Sequence, residues 1–284
     1  ARIYQCYTSS PVKRIGILYH PLREKARNLA EKLEELLSSQ GVSPWLCSAW
    51  DEDKAKSQVP DTELILSIGG DGTILRAARI ITPLSVPILG INLGNLGFIT
   101  EIDGEEAMSN FPTLLKGKCW IEERAMLEAR VENKTFHALN DVVLRGVAVR
   151  LVNIEAKIDG TIITTYRADG VIVSTATGST SYSLASGGPI LHPQSKEIVL
   201  QPISCHLGLS HALVLLPQSV VDLKVARGEK VILSIDGQIE LPLSDGQNVR
   251  VILSPHIARF LRICKPTYFY SSLRQKLAGR KNES

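Results

Sequence analysis

The chain has 284 residues, 44% of them hydrophobic and 21% charged, with a formal net charge of +3. That composition is ordinary for a soluble globular protein, and the length allows one large domain or two ordinary ones, each with its own core. A charge of +3 is too small to imply a nucleic-acid or membrane partner, and no apolar run approaches the roughly 20 residues that span a bilayer.

In chain order, Arg14 to Tyr19 reads as a short buried strand. Apolar residues at Ala26, Leu29, Ala30, Leu33, Leu36 and Leu37 then form a helical stripe within Arg23 to Gln40, and Gly41 stands where a helix ends. A second strand is predicted near Ser43 to Leu46, and a polar, charged stretch follows from Asp51 to Asp61. Next come a strand at Leu64 to Ile68, a helix to about Ile81 and a strand at Val86 to Ile91. Strands alternating with helices predict a parallel, doubly wound sheet, whose ligands bind beyond the carboxyl ends of the strands. Two glycine-rich segments lie at such ends: Gly69-Gly70-Asp71-Gly72-Thr73 and Gly90 to Phe98.

The first of these joins a strand to a helix, an arrangement in which backbone N–H groups and a helix N-terminus face a phosphate. No Lys-Ser or Lys-Thr follows, so the spacing is not that of a P-loop, and the third glycine of the dinucleotide fingerprint is missing. What remains is one carboxylate, Asp71, among phosphate-cradling amides, which suggests a kinase with its base built into the phosphate loop. The alternative is that Asp71 or Thr73 merely caps the helix.

From Cys119 to about Ile263 the texture changes to short β-type runs with turns between them. Asp159-Gly160, Asp236-Gly237 and Asp245-Gly246 lie between β-branched runs and are read as hairpin turns. This half is expected to be an all-β sandwich. Within it, Asp169-Gly170 leads into a strand at Val171 to Ser174, and Thr175 to Ser183 is crowded with hydroxyl side chains before Gly187-Gly188. Hydroxyls and a glycine at a strand-to-helix junction make a second cradle for a polyol or phosphate, or else a turn that caps its own helix. After Pro266 the chain looks helical from about Ser271 to Leu277, and Arg274 to Lys281 reads as a solvated basic tail.

The cysteines (Cys6, Cys47, Cys119, Cys205, Cys264) are scattered and never spaced Cys-x-x-Cys, which argues for a reducing compartment and against zinc. The histidines form no His-Glu-x-x-His set, so no protein-ligated metal is expected. A metal would be oxygen-bound and carried with phosphates, as Mg²⁺ usually is. The N-terminus lacks a basic-then-apolar leader pattern, and a cytoplasmic location is expected.

Taken together, the Gly-Gly-Asp-Gly loop, the Gly90 to Thr100 segment, Thr177 to Ser183, Gly187 to Pro189 and the tail from Phe260-Leu261-Arg262 through Tyr268-Phe269-Tyr270 resemble the bacterial-type NAD kinase family over nearly the whole chain. The resemblance implies a Rossmann-like α/β N-terminal domain at 1–118, an all-β sandwich at 119–255 that binds NAD, and a segment at 256–284 that returns to the first domain. It implies phosphorylation of the adenosine-ribose 2′-hydroxyl of NAD, with Asp71 as general base and Gly70, Gly72 and Thr73 at the phosphates. Phe98 would pack on an adenine ring, Asn140 and Asp141 would bind a ribose diol, and Asp169 would reach the nicotinamide amide. Thr177, Thr180, Ser181 and Tyr182 would line the nucleotide site, with Arg167 and Gln238 contributing. The implied partners are NAD and ATP or polyphosphate, with Mg²⁺ or another divalent cation accompanying the ATP, and a homo-oligomer whose neighbouring subunit supplies Asp169. Asp141 stands where the family usually has Glu, Ala176 replaces a frequent proline and Ser181 a frequent alanine. A lipid kinase shares the glycine loop, but a lipid headgroup needs no second nucleotide cradle. A non-catalytic nucleotide sensor would have no need of Asp71.

Overall fold

The computed structural model describes residues 12–94, 97–114, 119–147, 150–263, 269–270 and 273. Cys6, Cys264, Asn95, Leu96, Tyr268, the basic tail and all but Leu273 of the helix expected at 271–277 lie outside the described residues. The chain divides into two compact units, one of residues 1–123 and 258–284, the other of residues 124–257.

The first unit is built on parallel strands. β1 (Arg14–Tyr19) leads through α1 (Glu24–Ser39) to β2 (Ser43–Ser48). The stripe Ala26, Leu29, Ala30, Leu33 and Leu37 is buried in one core with Ile15, Ile17, Leu64, Leu66 and Leu89. Each fully buried leucine contributes about 1.5–3 kcal/mol. Gly41 follows the helix at φ +78°, a left-handed conformation that ends it with little strain. The polar stretch after β2 holds a short helix, α2 (Glu52–Gln58), which the sequence pattern does not predict. Its buried Ala55 is a single apolar anchor, and its Glu52 pairs with Arg79 and, at 3.6 Å, with Arg76.

β3 (Leu64–Ile68) then leads through α3 (Asp71–Ile81) to β4 (Ile88–Asn92), followed by the two-residue β5 (Ile102–Asp103) and α4 (Gly104–Leu114). The order is β2-β1-β3-β4, with β5 paired to β4. β1 and β3 are neighbours whose connections leave in opposite directions, so the sheet reverses between them. Ligands of such sheets sit at that switch point, and Gly69 follows the carboxyl end of β3.

The second unit is an antiparallel sandwich. Its strands are β6 (Trp120–Val131), β7 (Lys134–Ala138), β8 (Asp141–Gly146), β9 (Val152–Ile158), β10 (Thr161–Ala168) and β11 (Gly170–Ser174). A 3-10 turn at Gly178–Thr180 and the four-residue α5 (Tyr182–Ala185) come next. Then follow β12 (Ile198–Ile203), β13 (Leu213–Leu215), β14 (Val221–Val225), β15 (Val231–Ile235), β16 (Ile239–Leu243) and β17 (Asn248–Arg262). One sheet runs β10-β9-β14-β17 and includes β6 and β7; the other runs β13-β12-β11-β8-β15-β16. Their inward residues, among them Leu127, Val142, Leu144, Ile154, Tyr166, Val171 and Leu233, form one core. From Ala258 the end of β17 belongs to the first unit, where Phe260 pairs with Ile88 in parallel.

Asp159 (φ +51°) and Gly160 (φ +82°) close the β9–β10 hairpin as a two-residue turn, and Asp236-Gly237 closes β15–β16. Asp245-Gly246 corrects the reading: β16 pairs with β15 and β17 with β14, so this turn links the two sheets and is not a hairpin. A turn dipeptide fixes the local bend but not which strand becomes the neighbour.

Candidate active site

In the first unit, α3 begins directly at Asp71, with Gly70 as its N-cap and no side chain capping it. The cap reading of Asp71 and Thr73 therefore does not hold. The Asp71 carboxylate turns to the second glycine-rich segment, where Oδ2 accepts the Phe98 amide at 2.8 Å and Oδ1 the Ile99 amide at 3.1 Å. Hydrogen bonds to a charged acceptor contribute about 1.5–3 kcal/mol each. Gly97 makes the approach feasible, because a Cβ there would lie 2.1 Å from Asp71 Oδ1. The Gly97 amide donates in turn to Thr100 Oγ1 at 2.9 Å. Gly69 leaves room for Thr73 in the same way, since a Cβ would fall 2.3 Å from its Oγ1. Thr73 is buried, its hydroxyl without a partner among the described residues, while Gly70 and Asp71 are half-buried and Gly72 is exposed. Phe98 is half-buried.

The Phe98–Ile99 segment is held from behind by Arg262. Its Nη1 donates to the Ile99 carbonyl at 2.7 Å and to Glu101 Oε2 at 3.0 Å, and its Nε donates to Glu122 Oε2 at 2.7 Å. Burial works against the guanidinium's charge, but Glu122 and Glu101 more than offset it and the Arg262 pKa is raised. The result is a carboxylate fixed at a helix N-terminus, with lone pairs left to accept a proton from a hydroxyl.

In the second unit three segments converge on Asn140-Asp141. Asp236, in the β15–β16 turn, takes the Leu139 amide on Oδ2 at 2.9 Å and the Asn140 and Asp141 amides on Oδ1 at 2.7 and 3.1 Å. The Asn140 carbonyl accepts the Thr175 amide at 2.9 Å, and Gly178 packs so closely that a Cβ would meet the Asn140 oxygen at 2.1 Å. Asn140 and Asp141 are both buried, and Asn140 Oδ1 has no partner among the described residues. Burial first, and the charge of Asp236 second, push the Asp141 pKa up to about 7.

The hydroxyl-rich segment spends several of its hydroxyls on itself. Thr175 donates to the Leu139 carbonyl, Ser179 to Ala176 and Thr180 to Thr177. Thr177 Oγ1 instead accepts Nη1 of the buried Arg124 at 3.2 Å. Ser181 is half-buried and Tyr182 exposed. Gln238 is half-buried in the Asp236 turn, its amide bonded to the Ile235 carbonyl.

Asn140, Asp141, Thr177 and Thr180 are thus gathered at one end of β11, where Ser174 pairs with Asp141. Arg167 and Asp169 are not. They are exposed beside Gly170, which pairs with Arg145 at the other end of that strand, roughly 17 Å away at the usual rise per residue. Asp236, Arg124, Gly97 and Arg262 escape a sequence reading as site residues. Asp236 shares its letters with the nearby Asp245 turn, and no local pattern marks which aspartate receives amides from about a hundred residues upstream.

Among the described residues no group of three or more His, Cys, Asp or Glu side chains is placed to hold a metal ion. Cys47 and Cys205 are free thiols. No described helix is long and apolar enough to cross a membrane.

Residues 15–119 match the family described as the ATP-NAD kinase N-terminal domain, and residues 139–263 its C-terminal domain. An NAD kinase of Dehalococcoides mccartyi is 47% identical, the alignment covering 96% of this chain and 98% of the relative. One of Chloroflexus aurantiacus is 37% identical, covering 94% and 99%. Among solved structures, yeast NADH kinase complexed with NADH superposes with a TM-score of 0.78 at 25% identity, covering 97% of this chain and 90% of that one. An NAD kinase of Archaeoglobus fulgidus in complex with ATP shares the fold, with a TM-score of 0.73 at 24% identity and coverage of 93% and 98%.

Proposed function

The chain belongs to the ATP-NAD kinase family, and from that premise we propose how its residues phosphorylate NAD. It is an NAD kinase, forming NADP by phosphoryl transfer to NAD. The observation that carries the mechanism is the Asp71 carboxylate, held by the Phe98 and Ile99 amides at the start of α3.

Phosphoryl transfer asks the protein mainly for positioning and charge stabilisation. Asp71 accepts a hydrogen bond from the adenosine-ribose 2′-hydroxyl and orients its oxygen toward the γ-phosphorus. As the new O–P bond forms, the bond from the γ-phosphorus to the bridging oxygen breaks and ADP leaves with that electron pair. The hydroxyl proton passes to Asp71 and from there to solvent. The proton leaves only as the O–P bond forms, so Asp71 need not deprotonate a free hydroxyl beforehand. Gly70, Gly72 and Thr73 line the phosphates at the helix N-terminus, Thr73 through its buried hydroxyl. ATP is the donor and would bring Mg²⁺ or another divalent cation on its phosphates, offsetting their charge.

Phe98 packs on the adenine ring, and Asn140 and Asp141 take a ribose diol. Thr177, Thr180, Ser181, Tyr182 and Gln238 border the nucleotide. The yeast neighbour's complex with NADH supports a dinucleotide site in this fold. Arg167 and Asp169, set apart along β11, act on the dinucleotide of a neighbouring subunit in a homo-oligomer. The free thiols fit a reducing compartment, and we assign the enzyme to the cytoplasm.

The test is incubation with NAD, ATP and Mg²⁺, with NADP read by an NADP-specific dehydrogenase. NADP and ADP should appear in equal amounts. Phosphorylation of a lipid alcohol with no NADP formed would overturn the assignment, as would tight nucleotide binding without turnover.

A further inference from the structure

Asp236 carries a feature that a hairpin turn does not require. A turn aspartate ordinarily bonds its own backbone a residue or two away. Here the carboxylate takes three successive amides, Leu139, Asn140 and Asp141, from a segment 95 to 97 positions away in sequence. The Asp236 amide donates back to the Asp141 carbonyl at 2.9 Å, so the two backbones are locked in both directions. Asp236 is itself buried and is held at φ +52°, a conformation that a non-glycine residue adopts at some cost. Three N–H donors suit an ionised carboxylate.

We propose that Asp236 is a positioning residue for NAD: it gathers the 139–141 amides so that Asn140 and Asp141 present their side chains together to a ribose diol. This rests on the reading of Asn140 and Asp141 as the diol site. Two further observations support it. Asn140 Oδ1 is buried and bonds nothing among the described residues, as an acceptor kept for a ligand would be. The other face of the segment is equally fixed, by the Thr175 amide on the Asn140 carbonyl and by the close approach of Gly178. The pair is thereby pinned from β11 on one side and from the β15–β16 turn on the other. The charge facing Asp141 from that turn is Asp236, and across the ladder from β11 stands the uncharged Ser174.

The experiment uses the intact enzyme and three substitutions, Asp236→Asn, Asp236→Glu and Asp141→Asn. KM for NAD and kcat are measured across pH 5.5–9, together with Tm. Asp236→Asn keeps the size but sets an NH₂ group against a backbone N–H and removes the charge. It should raise KM for NAD about tenfold with kcat changed less than about threefold, the pattern of lost ground-state positioning. It should also move the pH midpoint of KM to lower values, because the like charge beside Asp141 is gone. Asp236→Glu keeps the charge with the acceptors displaced, so KM should rise while the midpoint stays near that of the wild type. If either Asp236 variant does not fold, the other is read against Asp141→Asn, whose KM profile should lose the midpoint altogether. A lower Tm with KM and its midpoint unmoved in the Asp236 variants, while Asp141→Asn raises KM, would leave Asp236 an ordinary turn and overturn the proposal alone. An unchanged KM in Asp141→Asn itself would remove the diol site, and the positioning role with it.

Discussion

Gly97 and Asp71 share a space that holds one of them only as glycine: a methyl group at position 97 would lie 2.1 Å from Asp71 Oδ1 and 2.6 Å from its carboxyl carbon. The two residues come from different strand exits, and the Phe98 and Ile99 amides just beyond Gly97 are those that bond the carboxylate. The second glycine-rich segment therefore serves as the seat of the first one's carboxylate.

Gly97→Ala should consequently act on chemistry. The added methyl must push Asp71 or the 97–99 backbone aside, and a displacement of about 1 Å costs roughly a hundredfold in rate. We expect kcat to fall by about that factor in steady-state NADP formation. A wild-type kcat would mean that the carboxylate need not sit where it does.

Arg262 should separate stability from turnover. Arg262→Lys keeps the charge but cannot reach the Ile99 carbonyl, Glu101 and Glu122 together, as the planar guanidinium does. It should lower stability by about 1–3 kcal/mol and reduce kcat. Arg262→Met takes the guanidinium away from Glu101 and Glu122 together and should cost about 3–5 kcal/mol. Denaturant unfolding checks the order; equal stability of all three proteins would contradict it.

Asp141 ties stability to pH. Its carboxyl is pushed up to about 7 from an ordinary 3.8, so the folded protein holds this proton where the unfolded chain has released it. The group's contribution is full below pH 3.8 and is lost as pH rises toward 7. Asp141→Asn carries no such proton, so its stability relative to wild type should improve between those limits, by on the order of 1–4 kcal/mol. A difference that stays flat with pH would refute the buried acid.

Asp169 lies at the opposite end of β11 from Asn140 and Asp141. If it acts on a neighbouring subunit's NAD, two inactive variants, Asp71→Asn and Asp169→Ala, should regain partial activity when mixed, since some sites then hold both intact residues. Subunit exchange is first shown by tagged pull-down. Exchange without regained activity would place each site within one chain.

Much of this was legible in the sequence. The helical stripe of α1 and the hydrophobic run of β3 follow from periodicity, and the Asp159-Gly160 hairpin follows from turn chemistry. Helix α2 was not, because a seven-residue helix with one buried alanine is stabilised by Glu52 reaching Arg76 and Arg79 on α3 rather than by an apolar stripe. The glycine loop announced Asp71, but its partners Phe98 and Ile99 are 27 and 28 residues away, and Arg262 is more than 160 from Ile99. Local pattern names a candidate carboxylate more readily than the residues that hold it in place. Asp236 and Asp245 make the same point, since identical letters closed a hairpin that clamps the 139–141 segment in one case and a link between sheets in the other.

The central claim is that Asp71 is the general base, and the most direct measurement is the single-turnover rate of NADP formation by Asp71→Asn, set beside its Kd for NAD. Asparagine can still accept one of the two amides, so the fold and NAD binding should be nearly intact, with Kd within about threefold. The rate should fall by roughly 10² to 10⁴, the usual worth of a positioned base. A wild-type rate with the same Kd would show that the carboxylate only braces the Phe98–Ile99 segment and that the proton leaves by another route.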